Sequence, residues 1–146
     1  MAETIAIASD HAGYEMKSLL TAELRALGFD VLDLGTDGTA PVDYPDFAAM
    51  LATALTDGRA GRGVLVCGSG IGISIAANRH RAIRAALCHD VTYARLAREH
   101  NDANVLVLGG TRHFGSETAK DILRTFFSTE FAAGRHAARV AKLSRV

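Results

Sequence analysis

The chain has 146 residues, and its 16 basic and 16 acidic side chains give it a formal net charge of zero. This length suits one domain with a buried core. A neutral chain has no global field that would recruit nucleic acid or an anionic membrane surface. No signal peptide is evident at the amino terminus, and no apolar run approaches the length of a membrane span. Cys67 and Cys88 suggest no oxidised framework, so we expect free thiols and a cytoplasmic protein.

Strand and helix patterns alternate along the whole chain. Five short apolar runs are predicted as strands, at residues 4–8, 31–34, 63–66, 83–87 and 105–108. Apolar residues at helical spacing predict helices at residues 14–27, 46–55, 91–99, 116–127 and 131–143. A further helix is expected after the third strand, from a glycine-rich turn to about residue 79.

Five strands separated by helices predict an α/β fold with a parallel sheet covered on both faces. Right-handed crossovers make this a doubly wound sheet of the Rossmann or flavodoxin-like type. We expect one domain over residues 1–146, with a C-terminal helix at about 131–146 that is used in phosphate binding and subunit contact. In such folds ligands bind beyond the carboxyl ends of the strands.

Residues 64–73, with the sequence VLVCGSGIGI, are the most informative part of the chain. A buried strand ends at Cys67, and a glycine-rich turn then begins a helix. Bare backbone N–H groups and the helix N-terminus together make an anion site, and the same field favours thiolate over thiol at Cys67. The alternative is that Cys67 is only a small buried apolar residue. The turn lacks the lysine of a P-loop, and Ile73 replaces the third glycine of the dinucleotide fingerprint.

Other polar residues also follow predicted strands. Asp10 and His11 follow the first strand, where Asp10 could simply cap a helix. Tyr44 belongs to the turn-rich segment after the second strand and is expected to line a cleft. Arg112 follows the fifth strand. We assign His80, His89 and His113 to surface or loop roles, and no set of His, Cys and carboxylate residues has convincing zinc spacing.

Two further groups lie elsewhere in the sequence. His100 and Asn101 come just before the fifth strand, on the opposite edge of the sheet, so a neighbouring subunit could supply them to the cleft; they could also only cap a helix. Arg135 and Arg139 are four residues apart on a predicted helix and could grip one anion together. The alternative for these arginines is an ordinary solvated basic face.

Five motifs together resemble the type B ribose-5-phosphate isomerases, whose family also holds the galactose-6-phosphate isomerase subunits. They are SDHAG at 9–13, DYP at 43–45, CGSGIGISIAAN at 67–78, HNDAN at 100–104 and GRHAAR at 134–139. They occur in family order and span nearly the whole chain. The resemblance is specific for the family and less specific for the sugar.

The resemblance implies an aldose–ketose isomerase of carbohydrate metabolism that needs no metal or organic cofactor. It implies that Cys67 is the base, that a cis-enediolate forms between ribose 5-phosphate and ribulose 5-phosphate, and that the hydroxyl of Ser69 moves a proton between the sugar oxygens. His100 of the partner chain would open the sugar ring with help from Asp10. The remaining implied contacts are Tyr44, Gly68, Gly70, Ile71, Gly72 and Asn101 for the sugar and His11, Arg112, Arg135 and Arg139 for the phosphate.

Two departures from the family pattern bear on this implication. Ser69 stands where many members carry threonine, and both residues supply the hydroxyl. Ile73 stands where one branch uses a catalytic glutamate, so the chain resembles the cysteine branch. Because one chain holds the full set of residues, a homodimer or homotetramer is expected. The alternatives are an isomerase of a six-carbon sugar phosphate, such as allose 6-phosphate, and a non-catalytic sugar-phosphate or nucleotide sensor.

Overall fold

Strands and helices alternate along the chain, and the computed structural model describes all of residues 1–146. The strands are β1 (Thr4–Ser9), β2 (Asp30–Asp33), β3 (Arg62–Cys67), β4 (Ala85–Leu87) and β5 (Val105–Gly109). The helices are α1 (Tyr14–Ala26), α2 (Tyr44–Thr56), α3 (Ile71–Asn78), α4 (Val91–Asn101), α5 (Ser116–Ser128) and α6 (His136–Leu143). None of them is long and apolar enough to span a membrane.

The five strands form one sheet in the order β2-β1-β3-β5-β4, and every neighbouring pair is parallel. The chain moves from β1 outward to β2 and then crosses back to β3 on the other side of β1. Strand order therefore reverses between β1 and β3, and this reversal opens a crevice at their carboxyl ends. The prediction of a doubly wound parallel sheet is confirmed.

Alternating side chains of the strands pack in two separate hydrophobic cores. Ile5 and Ile7 of β1 lie in the core that includes residues of α1, α4 and α5, whereas Ala6 and Ala8 lie in the core that includes residues of α2 and α3. The small residues of β1 on the second face let α2 approach the sheet closely. Both faces of the sheet are thus buried, and polar chemistry is confined to the strand ends.

The C-terminal helix is shorter than its sequence pattern predicts. It begins at His136 and not at residue 131, because Ala133 and Gly134 have φ of 56° and 54°, a left-handed conformation that no α-helix contains. The preceding segment is fixed to α4, where Ala132 donates its N–H to the carbonyl oxygen of Glu99 at 3.0 Å. None of the α6 residues is buried in the chain.

Candidate functional site

The carboxyl ends of β1, β3 and β5 meet at one edge of the sheet. Cys67 lies in register with Gly109, and the N–H of Gly110 donates to the carbonyl oxygen of Gly68 at 2.9 Å, which joins the loops after β3 and β5. A cavity of about 470 Å³ opens between these loops. Its lining residues are His11, Ala12, Glu15, Thr39, Gly68, Gly110, Thr111, Arg112 and His113.

The turn after β3 presents a cluster of unused hydrogen-bond donors. The backbone N–H groups of residues 68, 69, 70, 72 and 73 donate to no group of the chain, while that of Ile71 donates to Oγ of Ser69 at 3.2 Å. Gly70 has φ of 82°, and a Cβ there would lie 2.6 Å from Cδ1 of Leu87, so the turn requires glycine at this position. These donors and the positive end of the α3 dipole can stabilise a developing oxyanion.

Cys67 ends β3 directly before this turn. Its side chain is 4% exposed and packs in the core that includes residues of α2 and α3. Tyr44 lies on the other side of the turn, because a Cβ added to Gly72 would be 2.6 Å from Cζ of its ring. The thiol, the free N–H groups and the tyrosine ring therefore surround the first turn of α3.

Asp10 and His11 are held in fixed orientations at the end of β1. The N–H of Gly13 donates to Oδ1 of the buried Asp10 at 3.0 Å, and Oδ2 has no partner in the chain. Gly13, and not Asp10, is the N-cap residue of α1. The N–H of Val42 donates to Nδ1 of His11 at 3.1 Å, which places the imidazole proton on Nε2. His11 is thus arranged to donate a hydrogen bond into the cavity.

The cavity holds several residues that the sequence did not single out. Thr39, Glu15 and Thr111 line it beside Arg112, and Oγ1 of Thr111 donates to Oε2 of Glu15 at 3.2 Å. His113 lies in an exposed turn, as its assignment to a surface or loop role predicted, and it also lines the cavity. Most of these residues lie within four residues of Asp10–His11 or of the end of β5. This closeness in the sequence could have identified them as candidates.

A second group of polar residues lies on α4 and α6. His100 stacks on His136, with ring centroids 4.4 Å apart and an interplanar angle of 18°. Arg135 is the N-cap residue of α6 with helical φ and ψ, so it keeps the one-turn spacing to Arg139. Both arginines are exposed, and neither they nor Arg112 forms an ion pair within the chain.

The environment of His136 shows that these groups form one cluster. Burial lowers the pKa of His136, and the nearby positive charges of His100, Arg135 and Arg139 lower it further. His136 is therefore largely neutral near pH 7. The arginines are therefore the positively charged groups through which this cluster could hold an anion.

One chain does not bring the two groups together. His100 and Asn101 line a depression of about 370 Å³ beside β4 that shares no residue with the cavity of His11 and Arg112. The expectation that Arg112 joins Arg135 and Arg139 at the phosphate stays a prediction. No group of three or more His, Cys, Asp or Glu side chains could hold a metal ion.

Comparison with known proteins assigns the chain to a family. The profile of the family described as Ribose/Galactose Isomerase matches residues 5–143. Ribose-5-phosphate isomerase B of Escherichia coli (strain K12) is 40% identical over 142 residues, covering 97% of this chain and 95% of the relative. D-erythrulose-4-phosphate isomerase of Pectobacterium atrosepticum is 43% identical over 142 residues, covering 96% and 92%.

A solved structure agrees with these sequence matches. Ribose-5-phosphate isomerase B of Clostridium thermocellum superposes with a TM-score of 0.94 at 48% identity, covering 97% of this chain and 95% of that one. The chain therefore belongs to the ribose/galactose isomerase family. The resemblance found in the sequence is confirmed, and with it the expectation of an isomerase.

Proposed function

We propose that this member of the ribose/galactose isomerase family interconverts D-ribose 5-phosphate and D-ribulose 5-phosphate, with Cys67 as the base. The observation that carries the proposal is the position of this thiol beside five backbone N–H groups without partners. An enediolate intermediate needs such fixed donors at its oxygens. A protein that only binds phosphate would not need a thiol at this position.

In the proposed reaction the thiolate of Cys67 removes the proton from C2 of the open-chain aldose. The electron pair of that C–H bond forms the C1–C2 double bond, and the carbonyl electrons move to O1, giving a cis-enediolate held by the turn. Oγ of Ser69 transfers the hydroxyl proton from O2 to O1. Cys67 then returns its proton to C1, which leaves the carbonyl at C2.

Ring opening requires a second acid–base group, because the aldose arrives as a closed hemiacetal. We assign this step to His100 of a partner subunit, assisted by the free carboxylate oxygen of Asp10. Asn101 and Tyr44 would hold sugar hydroxyls. His11 and Arg112 of one chain and Arg135 and Arg139 of its partner would hold the phosphate. The support is that His11 and Arg112 line one depression of the chain, whereas His100 and Asn101 line another.

The surface around β4 supports a two-fold assembly. β4 is a three-residue edge strand, and the exposed apolar side chains Ile71, Ile75, Tyr93 and Leu143 belong to the helices that flank it. Exposed apolar side chains beside an open strand edge are a feature of interaction surfaces. A second copy that covered it would lie against His100, because Tyr93 and His100 line the same depression.

The proposal also specifies how many carbon atoms the sugar has. A relative named for a four-carbon sugar phosphate is as similar to this chain as one named for ribose 5-phosphate. A coupled assay of the purified protein should compare D-ribose 5-phosphate, D-allose 6-phosphate and D-erythrulose 4-phosphate. We expect kcat/KM to be highest for ribose 5-phosphate. A higher value for either competitor would assign that sugar instead, and no turnover of any would favour a sugar-phosphate sensor.

A further inference from the structure

The stacking of His100 on His136 has no role in the proposed reaction. The two imidazole rings are nearly parallel, at 18°, with centroids 4.4 Å apart, although they come from different helices. His100 lies in the last turn of α4, and His136 is the first residue of α6. The reaction assigns a proton transfer to His100 and nothing to His136.

The charges around the pair keep His136 neutral. Arg135 and Arg139 approach it from α6, and the N-terminus of α6 adds a partial positive charge. On α4 the carboxylate of Glu99 is engaged by Arg95 at 3.1 Å. Two imidazolium rings at this distance would repel each other, so these charges favour the neutral form of His136.

The backbone around the stack is also fixed. Arg98 donates from Nε to the carbonyl oxygen of Thr129 at 3.0 Å and from Nη1 to that of Ala103 at 2.7 Å. The N–H of Ala132 donates to the carbonyl oxygen of Glu99. Two of these bonds fasten the segment between α5 and α6 to α4, at Thr129 and at Ala132. The start of α6, and with it His136, is therefore held near the end of α4 by the backbone as well as by the stacked rings.

We propose that His136 is a positioning residue for ring opening: its imidazole stacks on His100 and holds that ring in the plane from which His100 exchanges protons with the closed sugar. This inference rests on the proposed function. In ring opening one proton leaves the O1 hydroxyl and another is delivered to the ring oxygen O4. The C1–O4 bond breaks and the C1–O1 carbonyl forms. A flat neighbour stacked on His100 keeps its ring oriented through both transfers.

The test separates ring opening from the enediolate step. Turnover of ribose 5-phosphate includes ring opening. Ribulose 5-phosphate is open-chain because its O5 carries the phosphate, so its incorporation of deuterium at C1 in D₂O requires Cys67 and no ring step. Both rates would be measured for the wild type, for His136→Ala and for His136→Phe. His80→Phe serves as a control that replaces a histidine lining neither depression.

We expect His136→Ala to lower turnover of ribose 5-phosphate by roughly 10- to 100-fold, as misplacement of a catalytic group does. Deuterium incorporation into ribulose 5-phosphate should stay within about twofold of the wild type. His136→Phe should restore most of the turnover, because a flat ring can stack without titrating.

Three results would overturn the inference. Equal losses in both rates would show that His136 is merely structural, and unchanged turnover would show that it does nothing for His100. A failure of His136→Phe to recover any of the loss would show that stacking is not the cause. A wild-type protein that performs neither reaction would instead overturn the proposed function and, with it, the inference.

Discussion

Cys67 and Cys88 lie on opposite faces of the sheet. Cys67 packs with residues of α2 and α3, and Cys88 packs with residues of α1, α4 and α5. Both thiols are free. Cys67 adjoins a cluster of unused N–H donors, whereas burial, with the negative charge of Asp90, raises the pKa of Cys88 to about 11. Cys88 can therefore serve as the control in experiments that replace Cys67.

Replacing Cys67 with alanine should nearly abolish turnover of ribose 5-phosphate. A general base contributes ~10²–10⁴-fold, and Cys67 is the group assigned to that role. Affinity for a phosphate ligand should remain, because the thiol acts on the carbon skeleton. The measurements are kcat and calorimetric binding of an unreactive sugar phosphate, with Cys88→Ala as the control. A near-normal kcat for Cys67→Ala would exclude this residue as the base.

Because of Cys88, the free energy of unfolding should fall as pH rises from about 9 to about 11. In this window the thiol ionises in the unfolded chain but stays protonated in the folded one. The unfolded state then binds fewer protons, and the free energy of unfolding falls as pH rises. A shift of this size corresponds to a loss on the order of 2 kcal/mol. Urea unfolding at pH 8 and pH 11 should show a smaller decline for Cys88→Ala, and equal declines would contradict the expectation.

Arg135→Ala and Arg139→Ala should each raise KM for the phosphorylated sugar. The loss of a charge-assisted hydrogen bond is worth roughly 1.5–3 kcal/mol. Arg145→Ala is the control, since Arg145 is exposed near the C-terminus and lacks an ion pair. Steady-state kinetics would show the difference. Unchanged KM values for both variants would show that these arginines form only a solvated basic face.

Mixed subunits should recover activity that neither variant has alone. Cys67→Ala and His100→Ala homo-oligomers are each expected to be nearly inactive. After subunit exchange, about half of the dimers are mixed, and each of these has one intact cleft of its two. About a quarter of wild-type activity should return. The assay must be paired with proof of exchange, and exchange without recovery would mean that both residues act within one chain.

The sheet could be predicted from sequence because each strand is a short apolar run between clear breaks. The end of α2 and the start of α5 are similarly distinct. The start of α6 could not be predicted, because the apolar pattern continues through residues 131–135 while the backbone turns left-handed at Ala133 and Gly134. Left-handed alanine has no sequence signature, and only the contact of Ala132 with Glu99 explains it.

The candidate site residues were named from the sequence, and their roles stay predictions. The position of His100 before β5 indicated that it lies away from the cleft. Nothing in the spacing showed that Arg135 and Arg139 lie with His100, since this depends on how α6 packs on α4. The stacking of His136 on His100 was hidden for the same reason. Its neighbour across the stack is 36 residues earlier in the chain.

The sparse attachment of α6 has a consequence for how the protein responds to dilution. An eight-residue helix that buries no side chain is barely stable by itself. If its arginines bind the phosphate in a neighbouring cleft, ligand binding and subunit association are thermodynamically coupled. Each must then strengthen the other by the same free energy. Sugar phosphate would then keep the chains associated at concentrations where the empty subunits separate. Apparent affinity would in turn fall as the protein is diluted.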